Sequence, residues 1–139
     1  MERPLLDTSV FSTYKKQIDE NLESFHFSIV VFYELMASMI DESTLQKYQN
    51  WLVILSKNEK LLIPTKTDWI TAAKSVRRLR HLKLINKNLS PTALQNDALI
   101  ARSSFMHKCF VVTDNIRDYQ LLQKVMPNLE VIPAKEYFS

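Results

Sequence analysis

Glycine is absent from all 139 residues, and that absence removes whole classes of chemistry. A P-loop, a dinucleotide-binding fingerprint, a nucleophile elbow and an EF-hand all need glycine where backbone approaches a phosphate or takes positive φ. Cysteine is nearly absent as well. With Cys109 alone, an internal disulfide and a cysteine-rich zinc site are excluded, and a reducing cytoplasm is the expected compartment. His26, His81 and His107 are too scattered for a histidine-rich metal motif, and no serine or cysteine has a histidine at a recognisable nucleophile spacing. The most apolar stretch, 29–40, is too short to span a bilayer and is interrupted by Glu34. The start Met-Glu-Arg-Pro carries no signal-peptide pattern, so secretion is not expected.

Acids are missing from one long segment. Between Trp69 and Asn96 there is no Asp or Glu, whereas Lys74, Arg77, Arg78, Arg80, Lys83 and Lys87 all fall there. Such a patch is either a solvated helix face or a surface turned toward phosphates. Composition is otherwise that of a soluble globular chain, with 46% hydrophobic and 24% charged residues. A chain of this length buries roughly 70% of its unfolded surface, enough for one core, and a single domain over residues 1–139 is expected.

Apolar strands alternate with helical patterns along the chain. The run Leu5-Leu6-Asp7-Thr8-Ser9-Val10 reads as a strand carrying a carboxylate in its middle. A short helix is expected over 11–20, a second strand over 25–30, and a helix through Tyr33, Leu35, Met36 and Ala37. Leu45, Tyr48, Leu52 and Leu55 recur at helical steps and mark a helix over 44–57. Leu61 to Pro64 is a third strand, followed by a basic helix over 69–84. Ser90-Pro91 is a helix-start signal, giving a helix over 92–107. A buried strand at 109–113, a helix over 118–125 and a last strand at 129–132 complete the order. That alternation predicts an α/β domain with a parallel sheet, whose ligands bind at the carboxyl ends of the strands.

Four carboxylates interrupt apolar segments: Asp7, Glu34, Asp97 and Asp114. Each alone has an ordinary explanation as a cap, an Asx-turn or an arginine's partner. Asp7 and Asp114 fall at or just past strand ends and Glu34 lies in the helix after strand two, so these three can converge on one end of the sheet, while the small and apolar neighbours Leu94, Ala98 and Ala101 place Asp97 on or beside the packed face of its helix. Carboxylates so gathered repel one another, and their pKa values rise unless a cation neutralises them. Oxygen-only ligands suit Mg²⁺ or Mn²⁺, and phosphodiester hydrolysis is the matching chemistry.

The stretches Leu5-Leu6-Asp7-Thr8-Ser9, Tyr33-Glu34-Leu35, Asn96-Asp97-Ala98-Leu99-Ile100-Ala101 and the run from Val111 to Tyr119 resemble the four acidic motifs of PIN-domain ribonucleases. They stand in the family's order and spacing across nearly the whole chain, and its size is most similar to the VapC toxins of type II toxin-antitoxin pairs. The resemblance implies a three-layer α/β/α sandwich, a Mg²⁺- or Mn²⁺-dependent endoribonuclease, a homodimer and a VapB-like antitoxin. It implies Asp7, Glu34 and Asp97 as metal-site acids, with Thr8, Ser9 and Thr113 as supporting hydroxyls. The fourth corner of the site falls to Asp114, Asn115 or Asp118. Arg77, Arg78, Arg80 and Lys83 are the residues to hold an RNA backbone, while Trp51 and Trp69 are expected to pack in the core rather than stack on bases. Two other readings are a housekeeping RNA-processing nuclease of the same fold and a PIN-fold module that binds RNA or protein without cutting.

Overall fold

Leu5 and Leu6 carry the chain into the middle of a parallel sheet. The computed structural model describes residues 2–86 and 91–139. In it β1 (Pro4–Leu6) pairs with β4 (Phe110–Thr113), and β4 pairs with β5 (Val131–Pro133). On the other flank β2 (Phe27–Ser28) pairs with β3 (Leu61–Leu62), and a bridge from Leu5 to His26 joins the two ladders. All these pairings are parallel, giving the order β3, β2, β1, β4, β5. Residues of β1 and β4 are buried at every position, the continuous apolar pattern of a parallel sheet rather than an alternating one.

Seven α-helices accompany the strands among the described residues: α1 (Lys15–Glu20), α2 (Ile29–Ala37), α3 (Glu42–Lys57), α4 (Lys66–His81), α5 (Gln95–Met106), α6 (Ile116–Gln123) and α7 (Ala134–Tyr137). Leu5, Leu6, Val31, Phe32, Leu99, Ile100, Val111 and Val112 are buried in one continuous core. Each such side chain contributes about 1.5–3 kcal/mol on leaving water.

Several boundaries differ from expectation, each for a local reason. The first strand ends at Leu6, so Asp7 follows the strand instead of interrupting it, and Thr8–Val10 form a 3-10 turn. The apolar run 25–30 splits because Ser28 caps α2, its hydroxyl accepting from the Val30 amide at 3.2 Å. The basic helix starts at Lys66, because Thr65 and Asp68 form a capping box that opens it before Trp69. Asp68 also accepts from Arg102 Nε at 3.0 Å, an ion pair tying α4 to α5. The Ser90 start signal lies outside the described residues; a 3-10 turn at Pro91–Ala93 precedes α5. The last strand runs on to Pro133, and α7 follows it.

Without glycine, the chain makes its helix stops from other residues. Glu59, Lys83 and Lys108 take φ of 57°, 57° and 56° just past the ends of α3, α4 and α5. At each stop the next amide reaches back five residues: Lys60 to the Leu55 carbonyl (2.8 Å), Leu84 to Leu79 (3.0 Å) and Cys109 to Ser104 (2.9 Å). These are Schellman closures, in which a left-handed residue satisfies the last helical carbonyls.

Strand order fixes where a ligand can sit. From β1 the chain moves outward through β2 and β3, then crosses back to place β4 on the other side of β1. The crevice outside the carboxyl ends of β1 and β4 is therefore the switch point of the sheet. Asp7 follows β1 there, and Thr113 ends β4 beside it.

Candidate active site

Asp7 is the fixed corner of this crevice. Its side chain is buried, and three hydroxyls hold it. Ser9 and Thr113 each donate to Oδ2 at 2.8 Å, and Tyr119 donates to Oδ1 at 3.1 Å. A carboxylate accepting three bonds has neither oxygen free to rotate away. Ser9 and Thr113 are also within 3.1 Å of each other, and their hydroxyls accept from the backbone amides of Asp114 (2.9 Å) and Asn115 (2.8 Å). The turn after β1 is thereby stitched to the turn after β4.

The other acids arrive from three helices. Glu34 on α2 accepts from Thr8 Oγ1 at 2.6 Å. Asp97, in the first turn of α5, is half-buried; its Oδ1 lies 3.5 Å from the Tyr119 hydroxyl and its Oδ2 3.4 Å from Asn115 Nδ2. Asn115 also donates to Asp118 Oδ2 at 2.8 Å, so one amide links two carboxylates as one phenol links Asp7 and Asp97. Burial, followed by repulsion from Asp7, Asp118 and Glu34, pushes the Asp97 carboxyl from 3.8 up to about 7. Tyr119, fully buried beside these charges, is raised well above its ordinary value, so its hydroxyl stays a donor.

Tyr119 and Asn115 thus link Asp7, Asp97 and Asp118, Glu34 joins through Thr8 next to Asp7, and Ser9 and Thr113 hold Asp7. Asp114 does not join through its side chain: it is exposed, and its backbone amide makes the contact. Arg77, Arg78 and Lys83 are exposed and Arg80 is half-buried, all on α4 or the turn closing it. Of the two tryptophans, Trp51 is buried against Phe11 and Tyr48, whereas Trp69 is 49% exposed, contrary to the packing expected of it. Its position in the capped first turn of α4 leaves it short of the core. Tyr119 was not singled out by sequence reasoning. Its signal was the four-residue step from Asn115 along an apolar helix face shared with Leu122.

The donor set consists of carboxylate oxygens and one amide, the kind that hard divalent cations take. Among the described residues no three of these acids stand close enough together to hold one ion as placed, since the Tyr119 hydroxyl and Asn115 amide lie between them. The chemistry of the set nevertheless fits a cation. Several half-buried negative charges share one crevice, and burial together with repulsion from Asp7, Asp118 and Glu34 raises Asp97, a cost that a positive ion would relieve.

No protein-family model and no curated protein sequence matches the chain. Solved structures do. The chain is similar to a chain of the DNA-bound VapBC structure from Salmonella typhimurium, with a TM-score of 0.63 and 14% identity over 96% of this chain and 99% of that one. A chain of VapBC2 from Rickettsia felis, bound to a promoter DNA fragment, gives 0.61 and 21% identity over 94% and 97%. A chain of FitAcB from Neisseria gonorrhoeae gives 0.60 and 18% over 93% and 96%. What is shared at such identities is the fold, and it is the fold that the sequence motifs resembled.

Proposed function

We propose that this chain is a Mg²⁺- or Mn²⁺-dependent endoribonuclease and the toxin of a toxin-antitoxin pair, built as a three-layer α/β/α sandwich. The observation that carries the reading is the convergence of Asp7, Glu34, Asp97 and Asp118 from four separate elements on the switch point of the sheet, with Asp97 pushed up to about 7. A chain with no catalytic use for that crevice has no reason to gather four repelling acids there.

Asp7, Glu34, Asp97 and Asp118 would hold the ion, with the Asn115 amide oxygen as a neutral donor. When bound, the ion supplies charge to polarise the phosphoryl group, acidify a water and stabilise the leaving oxygen. The chain's own share is orientation: Ser9, Thr113 and Tyr119 fix Asp7, and Thr8 fixes Glu34. In the reaction, water's oxygen bonds to phosphorus, the P–O3′ bond breaks, and O3′ leaves with a proton.

Purified chain incubated with RNA should cleave it with Mg²⁺ or Mn²⁺ and stop in EDTA. No cleavage under any metal would leave a PIN-fold module that binds without cutting. The neighbours are two-protein complexes by name, VapBC and FitAcB, which supports a VapB-like antitoxin as partner; a homodimer as the working unit and the cytoplasm as location are part of the same proposal. Induction of the chain alone should arrest growth and a small protein should co-purify from its host. Unaffected growth alongside metal-dependent cleavage would favour a housekeeping RNA-processing nuclease.

A further inference from the structure

A groove runs between α4 and α5. It encloses about 270 Å³ and is floored by Ala72, Ala73, Val76 and Leu99, with Trp69 at one end and Arg77 farther along. Trp69 is 49% exposed, a large apolar ring left in water on a helix whose first turn is otherwise fully capped. The small residues behind it leave room for a flat ring.

Charge selects the kind of occupant. Arg77 and Arg80 line the groove, Lys74 and Arg78 line the adjoining surface with Arg77, and no acid occurs between Trp69 and Asn96. The one acid of α4, Asp68, is buried and bound to Arg102, so it does not offset the groove's charge. His81 adds a further basic group at the helix end. An aromatic platform within an acid-free cationic surface is the combination that holds single-stranded nucleic acid, bases on the ring and phosphates on the cations. Trp69 and Arg77 are eight residues apart, about 12 Å along the helix, within the reach of a dinucleotide unit.

Gln95, which lines the groove, stands two residues before Asp97 in the first turn of α5, so the groove and the carboxylates share that helix end but face different sides of it. We infer that the α4–α5 groove is a subsite for an unpaired RNA base, with Trp69 as the stacking platform and Arg77 as a phosphate contact. The subsite makes the enzyme selective for single strands, because a paired base cannot turn its face onto the indole. This inference takes its ligand from the nuclease reading, and it is tested by binding rather than by cleavage.

The test is tryptophan fluorescence in EDTA, with a short mixed-sequence oligoribonucleotide added either single-stranded or annealed to its complement. Trp51, 7% exposed, serves as an internal reference that does not respond. The single strand should quench the exposed component, and the duplex should not. Trp69→Leu should abolish the quench and weaken binding about tenfold, while Trp69→Phe should retain most of the affinity. Arg77→Gln should weaken binding and lower the salt slope by about one. Melting curves matching wild type confirm that these surface variants fold. Equal quenching by duplex, or unchanged affinity in Trp69→Leu, overturns the inference. So does a blue-shifted, unquenchable Trp69 before RNA is added, which would mean that a protein surface covers the groove. Metal-dependent cleavage with unchanged binding in Trp69→Leu would sink the subsite and spare the nuclease. Trp69-dependent binding without cleavage under any metal would do the reverse.

Discussion

The Tyr119 hydroxyl donates to Asp7 Oδ1 at 3.1 Å and stands 3.5 Å from Asp97 Oδ1, so one buried phenol spans two acids from opposite halves of the chain. Tyr119→Phe removes that donor while keeping the ring that packs on Leu122. A positioning group of this kind is worth about tenfold in activity, and the loss should fall on kcat, with KM for RNA unchanged and the fold intact by circular dichroism. Full activity in Tyr119→Phe would show that Ser9 and Thr113 orient Asp7 without it.

The raised Asp97 carboxyl makes a statement about stability. Its folded value of about 7 exceeds the ordinary 3.8, so between those values the folded state holds a proton that the unfolded state has lost. Stability from this group is complete below pH 4, falls as pH rises toward 7 and is lost above it. In EDTA, Asp97→Asn should therefore be more stable than wild type at pH 8, by about 2 kcal/mol after allowance for partial exposure. The two proteins should converge near pH 4. Denaturant midpoints across pH measure this, and a variant less stable than wild type at pH 8 would refute the repulsion.

His26 works in the opposite direction. Burial, with help from Lys60, Arg3 and His107, lowers it from 6.5 to about 4, and among the described residues its Nδ1 has no hydrogen-bond partner. The folded state keeps it neutral while the unfolded state takes up a proton, so its contribution is present above pH 6.5 and lost as pH falls toward 4. His26→Phe should flatten this acid limb of the melting temperature, leaving the Asp97 trend exposed. An unchanged acid limb would place the loss of stability elsewhere.

The helix stop after α4 offers a change outside the carboxylate cluster. Lys83 holds φ of 57°, a conformation that costs a side chain roughly 1 kcal/mol and glycine almost nothing. Lys83→Gly should raise the urea midpoint by about 0.5–1 kcal/mol of stability with an unchanged slope, and Lys83→Ala should not. Equal effects of the two would indicate that the lysine side chain, and not its backbone, matters there.

Much of this was legible in the sequence, for identifiable reasons. The parallel sheet followed from the alternation of short apolar runs such as Phe110–Val112 with helical segments, and Asp7 and Asp97 stood out because isolated charges in apolar segments are costly. Boundaries set by side-chain caps were less visible: Ser28 turns an apolar strand into a helix through one bond, and Thr65 with Asp68 starts α4 early. The exposure of Trp69 and the bridging hydroxyl of Tyr119 depend on how α4 and α6 pack. No local pattern encodes that. Asp114 and Asp118 look equivalent in a motif, yet the turn after β4 points one into solvent and brings the other against Asn115.

The most direct measurement of the central claim is the rate of RNA cleavage by wild type and by Asp97→Asn, each purified identically and assayed with Mn²⁺ and with EDTA. Wild type should cut with the metal and not with EDTA, and Asp97→Asn, folded and at least as stable, should be slower by about a hundredfold or more. Cleavage that persists in EDTA, or that is equal in Asp97→Asn, would contradict a metal-dependent nuclease built on these carboxylates.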